Sequence, residues 1–288
     1  MNTPSSIQDR SRRITSPTNA LLKVFRRALA EGRTHDGWVA IEGARLVEEA
    51  IRCGDPKAQG PQGQLCALRS LLVGESAAQK FLELLKRVPR EAEIVQVPDD
   101  LFRKISQTES PQGIAALVER PAYDLDDCLK RESAILMVAC GLQDPGNLGA
   151  ILRTSDALGA TAALTVKGTV SLFNPKVVRS SGGALFRLPV FPAVDLSELL
   201  GRLREAGVRT IAADSTVGIS LPETDLRGRV ALFIGSEATG VSPEIAKQVS
   251  TRVRIPMKPG VDSVNAAVAA SVFLYEVQRQ RGFDFVPT

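Results

Sequence analysis

The segment Ala134-Ile-Leu-Met-Val-Ala-Cys140 is apolar at every position. A strand with one wet face alternates apolar and polar residues. A strand that does not alternate must be buried on both faces, as inner strands of parallel sheets are. Five more segments read as strands: Ala162 to Val166, Leu188 to Phe191, Arg209 to Ala213, Val230 to Ile234 and Arg252 to Ile255. Helical patterns separate them. These run from Asn147 to Leu158, closed by Gly159, from Asn174 to Ser181, from Asp195 to Ala206, from Ser242-Pro243 onward and from Ser263 to Gln280. Asp195 is a natural N-cap and Gly207 a stop. Such alternation predicts an α/β domain whose parallel sheet is covered on both faces.

The first half alternates in a smaller unit. A helix is expected from Pro17 to Ala30, with Leu21, Leu22, Phe25, Ala28 and Leu29 facing inward. Trp38 to Ile41, Leu68 to Val73, Ile94 to Val97 and Gln112 to Glu119 read as strands, and Ala44 to Arg52 and Ala77 to Arg87 as helices. Asp99 and Asp100 are placed to cap a further helix through Ile105. Gly54 to Gly63 is a polar loop, and Pro121 to Glu132 an acidic linker. The 288 residues therefore divide into a disordered tail (1–15), a first domain (16–120), a linker (121–132) and a second domain (133–288).

Composition narrows the function. Apolar residues make up 44% of the chain, enough for a real core, yet no apolar run approaches the roughly 20 residues of a membrane span. The polar N-terminus lacks a signal core, which makes the cytoplasm the default location. One histidine, His35, and four cysteines without close metal spacing argue against a His-based triad or a metal centre. The net charge is +4, and seven cations (Arg10, Arg12, Arg13, Lys23, Arg26, Arg27, Arg33) face only Asp9 and Glu31 over the first 33 residues. A phosphate-contacting surface and a solvated helix face both fit that pattern.

The turn after the first strand of the second domain, Gly141 to Gly149, has neither dinucleotide-fold glycine spacing nor a P-loop ending. A nicotinamide oxidoreductase therefore lacks its phosphate loop. What remains is Asn147-x-Gly149-x-x-x-Arg153, in which Gly149 and Arg153 share a helix face. Phe233-Ile-Gly235-Ser-Glu237 ends another strand with a glycine and a carboxylate. Ile255-Pro-Met257 leads through a Pro/Gly turn to Ser263-Val264-Asn265 and a helix of small residues. Singly, these are a surface arginine, a helix-terminal charge and helix caps. Together they are three polar turns at strand ends, where open parallel sheets bind ligands.

In that order the three segments resemble the signatures of the SpoU (TrmH) family of RNA 2'-O-ribose methyltransferases, within the knotted SPOUT superfamily. The resemblance implies a deep trefoil knot in the second domain and S-adenosylmethionine as cofactor. It implies cofactor contacts at Gly235, Ile255 and Val264, with Met257 and the strand end Ala212-Ala213 lining an adenine pocket. Val264 stands where the family usually has Leu. Asn147, Arg153, Glu237, Ser263 and Asn265 match the family's polar active-site positions. Trp38 to Ala50 and Thr108 to Gly113 resemble the L30e-like substrate-binding domain that precedes many such catalytic domains. Asn174 to Gly183 resembles a family segment near the catalytic pocket. Arg26, Arg27, Arg45, Lys176 and Arg179 are the expected RNA contacts. The implied reaction is methylation of a ribose 2'-hydroxyl of RNA, with 23S-type ribosomal RNA favoured by the extra N-terminal domain. A transfer-RNA methyltransferase and a non-catalytic RNA-binding or ribosome-assembly protein are the alternatives. Family resemblance also implies a homodimer through the second domain, and neither metal nor membrane.

Overall fold

A computed structural model describes residues 10–55, 66–236 and 239–283. The chain forms two compact units: residues up to Ala122 together with Phe173–Arg187, and Tyr123–Leu172 together with the chain from Leu188 onward.

The first unit has a five-stranded sheet of order β1-β4-β3-β5-β2. Its strands are β1 (Ser11–Arg13), β2 (Val39–Glu42), β3 (Ala67–Gly74), β4 (Glu93–Val97) and β5 (Ile114–Glu119). Its helices are α1 (Ala20–Glu31), α2 (Ala44–Cys53), α3 (Glu75–Lys80), α4 (Leu82–Lys86) and α5 (Asp99–Ile105). On α1, Leu22, Phe25, Ala28 and Leu29 are buried, and the Asn19 side chain accepts from the Leu21 amide. The expectation of a disordered tail through residue 15 fails in its described part. Ser11–Arg13 pairs in parallel with β4, and Ile14 is buried, because an apolar residue after an edge pairing has a core to enter. The helix expected from Ala77 to Arg87 is broken at Phe81, which leaves helical dihedrals with φ −105° and ψ 25°. Asp99 caps the neighbouring helix rather than its own, accepting from the Ser76 amide at 3.1 Å. Gly54–Gly63 lies largely outside the described residues.

The two segments that resemble a substrate-binding domain meet in this unit. The Gly43 amide donates to the Ile114 carbonyl at 2.9 Å, and the Ala44 amide to Gln112 Oε1 at 2.8 Å. Glu42 is a buried carboxylate at the end of β2. It accepts from the hydroxyls of Ser106 (2.5 Å) and Thr108 (2.6 Å) and from the Gln107 amide (3.2 Å). A buried carboxylate is tolerated only when its lone pairs are filled, and removing it strands several donors at once. A Glu42→Ala variant should therefore lose about 2–3 kcal/mol of stability, read from its urea midpoint.

In the second unit, α6 (Leu125–Leu129) precedes a seven-stranded sheet of order β10-β12-β9-β11-β6-β7-β8, parallel throughout. The strands are β6 (Ile135–Ala139), β7 (Ala162–Val166), β8 (Val190–Val194), β9 (Arg209–Ala213), β10 (Ile219–Ser220), β11 (Val230–Ile234) and β12 (Thr251–Arg254). The inner strands β6, β7 and β11 are buried at every residue, as the lack of alternation predicts. Sequence analysis misses β10, which is only two residues long. The expected acidic linker also needs correction. Leu125, Cys128 and Leu129 are buried in the core of this unit, so the segment is held by its apolar residues despite its acidic ones. Two helices in this unit matter for the site: α7 (Pro145–Ala157) and α12 (Ala266–Gln280). Between them in sequence lie α8 (Pro175–Ser180) and α9 (Ala184–Arg187), both in the first unit, then α10 (Leu196–Glu205) and α11 (Pro243–Gln248).

The register shows a connection that crosses a later strand. Val253 of β12 pairs with Ala213 on one side and with Ile219 on the other. Residues 214–218 therefore cross β12, so that a later strand lies between two earlier ones joined by a short connection. The trefoil knot that the SPOUT resemblance implies requires a crossing of this kind. The crossing is tight at Gly218, whose φ is +121° and where a Cβ would lie 2.3 Å from the Arg252 carbonyl oxygen. Only glycine takes that conformation at that distance without strain.

Candidate active site

Three chain segments end at the carboxyl edge of this sheet and turn toward one another. A cavity of about 430 Å³ lies among them. Its walls are Ala213–Thr216 after β9, Ile234–Ser236 with Thr239–Val241 after β11, and Ile255 with Met257 after β12. Asp262, Ser263 and Val264 close it ahead of α12, which adds Ala266, Ala269 and Phe273.

The second turn is held by its own backbone. Ser236 and Gly240 exchange hydrogen bonds of 3.1 and 2.9 Å, and the Ser236 and Thr239 hydroxyls lie 2.9 Å apart. A Cβ on Gly235 would sit 1.9 Å from the Gly240 carbonyl carbon, so the turn folds directly over this glycine. Glu237 lies outside the described residues.

The segment after β6 meets the segment after β12 through asparagines 118 positions apart: Asn265 Nδ2 donates to Asn147 Oδ1 at 3.0 Å. Both belong to helix starts. Asp144 caps α7, accepting from the amides of Gly146 and Asn147, which starts the helix ahead of the expected Asn147. Asn265 Oδ1 caps α12, accepting from Ala267 (2.9 Å) and Val268 (3.3 Å). Because the cap is Asn265, Ser263 and Val264 precede the helix and face the cavity, whereas the sequence pattern places Ser263 as the helix's first residue.

Of the expected cofactor residues, Ala213, Gly235, Ile255, Met257 and Val264 line the cavity. Ala212 does not. It is buried within the sheet, paired to Phe233 and Arg252 on its two sides. Ser263 lines the cavity and Asn147 and Asn265 are bonded beside it, whereas Arg153 is exposed on α7 and lines no part of the cavity. Among the described residues, no hydrogen bond or ion pair holds Arg153. Sequence reasoning misses Asp214, Ser215, Thr216 and Asp262. The available signal was an Asp-Ser-Thr run directly after a buried strand, the composition of a side-chain-capped turn.

Small residues (Ala213, Gly235, Ala266, Ala269) together with Met257 and Phe273 line a cavity able to take a flat apolar group, and polar side chains share the lining. Its volume falls within the roughly 300–1,000 Å³ of small-molecule sites.

Residues 134–275 match the SpoU rRNA Methylase family and residues 26–116 an MRM3-like substrate binding domain. A 23S rRNA (uridine(2479)-2'-O)-methyltransferase from Streptomyces viridochromogenes is 32% identical over 94% of this chain and 93% of its own length. The chain belongs to the SpoU rRNA methylase family. A second SpoU relative, the 23S rRNA (guanosine(2553)-2'-O)-methyltransferase RlmP of Bacillus subtilis, is 29% identical over 85% of this chain and 90% of its own. Among solved structures, the SpoU methyltransferase AviRb of S. viridochromogenes in complex with AdoMet has a TM-score of 0.76 at 30% identity, covering 91% of this chain and 98% of that one. An AdoMet-bound rRNA methyltransferase from Sinorhizobium meliloti has a TM-score of 0.77 at 26% identity, covering 94% and 98%.

The expected RNA contacts of this SpoU-family chain all lie in the first unit. Arg26 and Arg27 are exposed on α1, with Arg27 ion-paired to Glu31 at 2.9 Å, and Arg45 is exposed in the first turn of α2. Lys176 and Arg179 are exposed on α8, which the domain bounds expected from sequence put in the second domain. That segment packs instead with the first unit, where Arg187 pairs with Glu49 at 2.7 Å and Arg120 Nε donates to the Leu185 carbonyl at 2.6 Å. The four cysteines are all buried, and none is joined in a disulfide. Burial pushes the Cys140 thiol up to about 12, which keeps it un-ionised. Among the described residues there is no helix long and apolar enough to cross a membrane and no cluster of metal-ligating side chains.

Proposed function

We propose that this protein transfers a methyl group from S-adenosylmethionine to a ribose 2'-hydroxyl of RNA, with 23S-type ribosomal RNA as substrate. The observation that carries this reading is the convergence of three turns: two share one cavity, and the third is tied to them by the Asn147–Asn265 bond. When bound, the cofactor supplies an electrophilic methyl on a positively charged sulfur. The chain's own part is placement. Backbone groups at Gly235, Ile255 and Val264 would hold the donor, in a cavity lined by both polar and apolar groups. Asn147 and Asn265 fix each other at the cavity's edge, where a hydroxyl has to be oriented for in-line attack. Orientation of this kind supplies much of the acceleration in two-substrate reactions. Arg153 is the candidate for holding the target phosphate and hydroxyl, since a guanidinium offers a planar fork of donors and stays protonated. Arg26, Arg27, Arg45, Lys176 and Arg179 would bind RNA phosphates, and a cytoplasmic location goes with such a substrate.

The active form we propose is a homodimer. Between α7 and α12 runs an exposed, mostly apolar groove of about 540 Å³, lined by Ala150, Thr154, Ala267, Val268, Val272 and Tyr275. Val268 and Tyr275 are 50% and 54% exposed, more than large apolar side chains on a lone chain favour. Arg153, next to Thr154, stands outside its own chain's cavity, as expected if a second copy completes the site. A Val268→Asp variant is expected to sediment as a monomer and to lose methyl transfer. An active monomer would remove the dimer from the proposal.

The deciding experiment is methylation of unmodified total RNA with methyl-labelled cofactor, followed by mapping of alkali-resistant ribose. The expected result is label at a single 23S-type position. Label in the transfer-RNA fraction would change the substrate, and cofactor binding without any transfer would leave a non-catalytic RNA-binding protein.

A further inference from the structure

Residues 214–218 cross β12, and Asp214, Ser215 and Thr216 are also part of the cavity wall. The Asp214 carboxylate serves both roles. Its Oδ1 accepts from the Thr216 amide (2.9 Å), the Thr216 hydroxyl (3.0 Å) and the Val217 amide (3.0 Å). Its Oδ2 faces Arg252 Nη1 of β12 at 3.6 Å. The Asp214 amide donates to the Val253 carbonyl at 2.9 Å, on the same strand. One residue thus folds the crossing turn and pins it to the strand it crosses. Burial would raise the Asp214 carboxyl. The bonds from Thr216 and Val217 and the Arg252 charge outweigh burial and hold it below the usual carboxylate range. The group is therefore ionised at neutral pH.

The strand being clamped continues directly into Ile255 and Met257, which form another wall of the cavity. Resting on the reading of this cavity as the donor site, the structure assigns Asp214 the role of a positioning residue that sets the spacing between these two walls. It touches none of the reacting atoms and acts through the backbone of Ala213–Thr216. A wall held before the ligand arrives does not have to be ordered by it, and the difference appears as affinity. Carboxylates among cofactor-pocket residues usually suggest direct contact with a cation. Here the Asp214 carboxylate is already engaged by Thr216, Val217 and Arg252 of its own chain, which favours the clamp.

The test uses the full-length protein, calorimetric titration with S-adenosylmethionine, and steady-state methyl transfer. Asp214→Ala is expected to weaken the cofactor about tenfold, with the loss carried by its KM and recovered at saturating cofactor. Asp214→Asn keeps an Oδ1 acceptor for Thr216 and Val217 and should restore most of the affinity. A merely structural role would lower kcat and RNA binding as well, and would not divide in this way. Thr216→Val removes one of the three bonds to Oδ1 and is expected to weaken binding about threefold. If Asp214→Ala does not fold, Thr216→Val carries the test. Wild-type affinity in Asp214→Ala, or in Thr216→Val, overturns the clamp while leaving the donor site intact. A wild-type protein that binds no S-adenosylmethionine overturns the donor site itself.

Discussion

Replacing Arg153 with alanine is expected to cut methyl transfer by about 10²–10³-fold while cofactor affinity stays at the wild-type value. The side chain is exposed, lines no part of the cavity, and has no partner among the described residues. A structural arginine is normally paired, so a free one on a helix beside the site is available to a ligand. Its fixed charge and forked donors suit a phosphate and a hydroxyl losing its proton, and neither is present until RNA binds. The loss should therefore appear in the single-turnover rate with RNA and not in calorimetry with cofactor alone. Arg153→Lys keeps the charge without the fork and should fall between the two. Near-normal turnover by Arg153→Ala, with both ligands bound, would remove this residue from the mechanism.

Gly235→Ala should cost about 3 kcal/mol in stability and weaken the cofactor by about 100-fold. The added Cβ would meet the Gly240 carbonyl carbon at 1.9 Å and its oxygen and the Val241 amide at 2.1 Å. All three are backbone atoms, so no side-chain rotation relieves the clash. The turn between Ser236 and Gly240 has to open, and it forms one wall of the cavity. Overpacking in a rigid surrounding appears partly as strain and partly as displaced structure. Urea denaturation and calorimetry measure the two parts separately. An alanine variant with unchanged midpoint and affinity would mean that the turn does not close over Gly235 in solution.

Much of this protein was legible in its amino-acid order. Non-alternating apolar runs at Ile135–Ala139 and Val230–Ile234 could only be strands covered on both faces, and they are. Caps at Asp195 and Ser242 marked helix starts because a side-chain oxygen there satisfies an amide that the helix leaves free, whereas the first helix, expected from Pro17, starts after Asn19. Local chemistry of that kind is written within a few neighbouring residues. Resemblance to the SpoU family carried most of the site, down to Ala213, Gly235, Ile255, Met257 and Val264 around one cavity.

Other features depend on residues far apart in sequence. Asp99 has the look of a cap for its own helix but serves Ser76, 23 positions away, because the nearer unpaired amide in space belongs to another element. Lys176 and Arg179 follow the first strands of the second domain in sequence yet sit in the first unit, where apolar Val177 and Val178 are buried and Arg187 finds Glu49. The pairing of Asn147 with Asn265 and the passage of residues 214–218 across β12 are likewise invisible to periodicity. Periodicity reports which face of an element is buried. Which elements become neighbours, and which connection crosses which strand, is settled only when the whole sheet assembles.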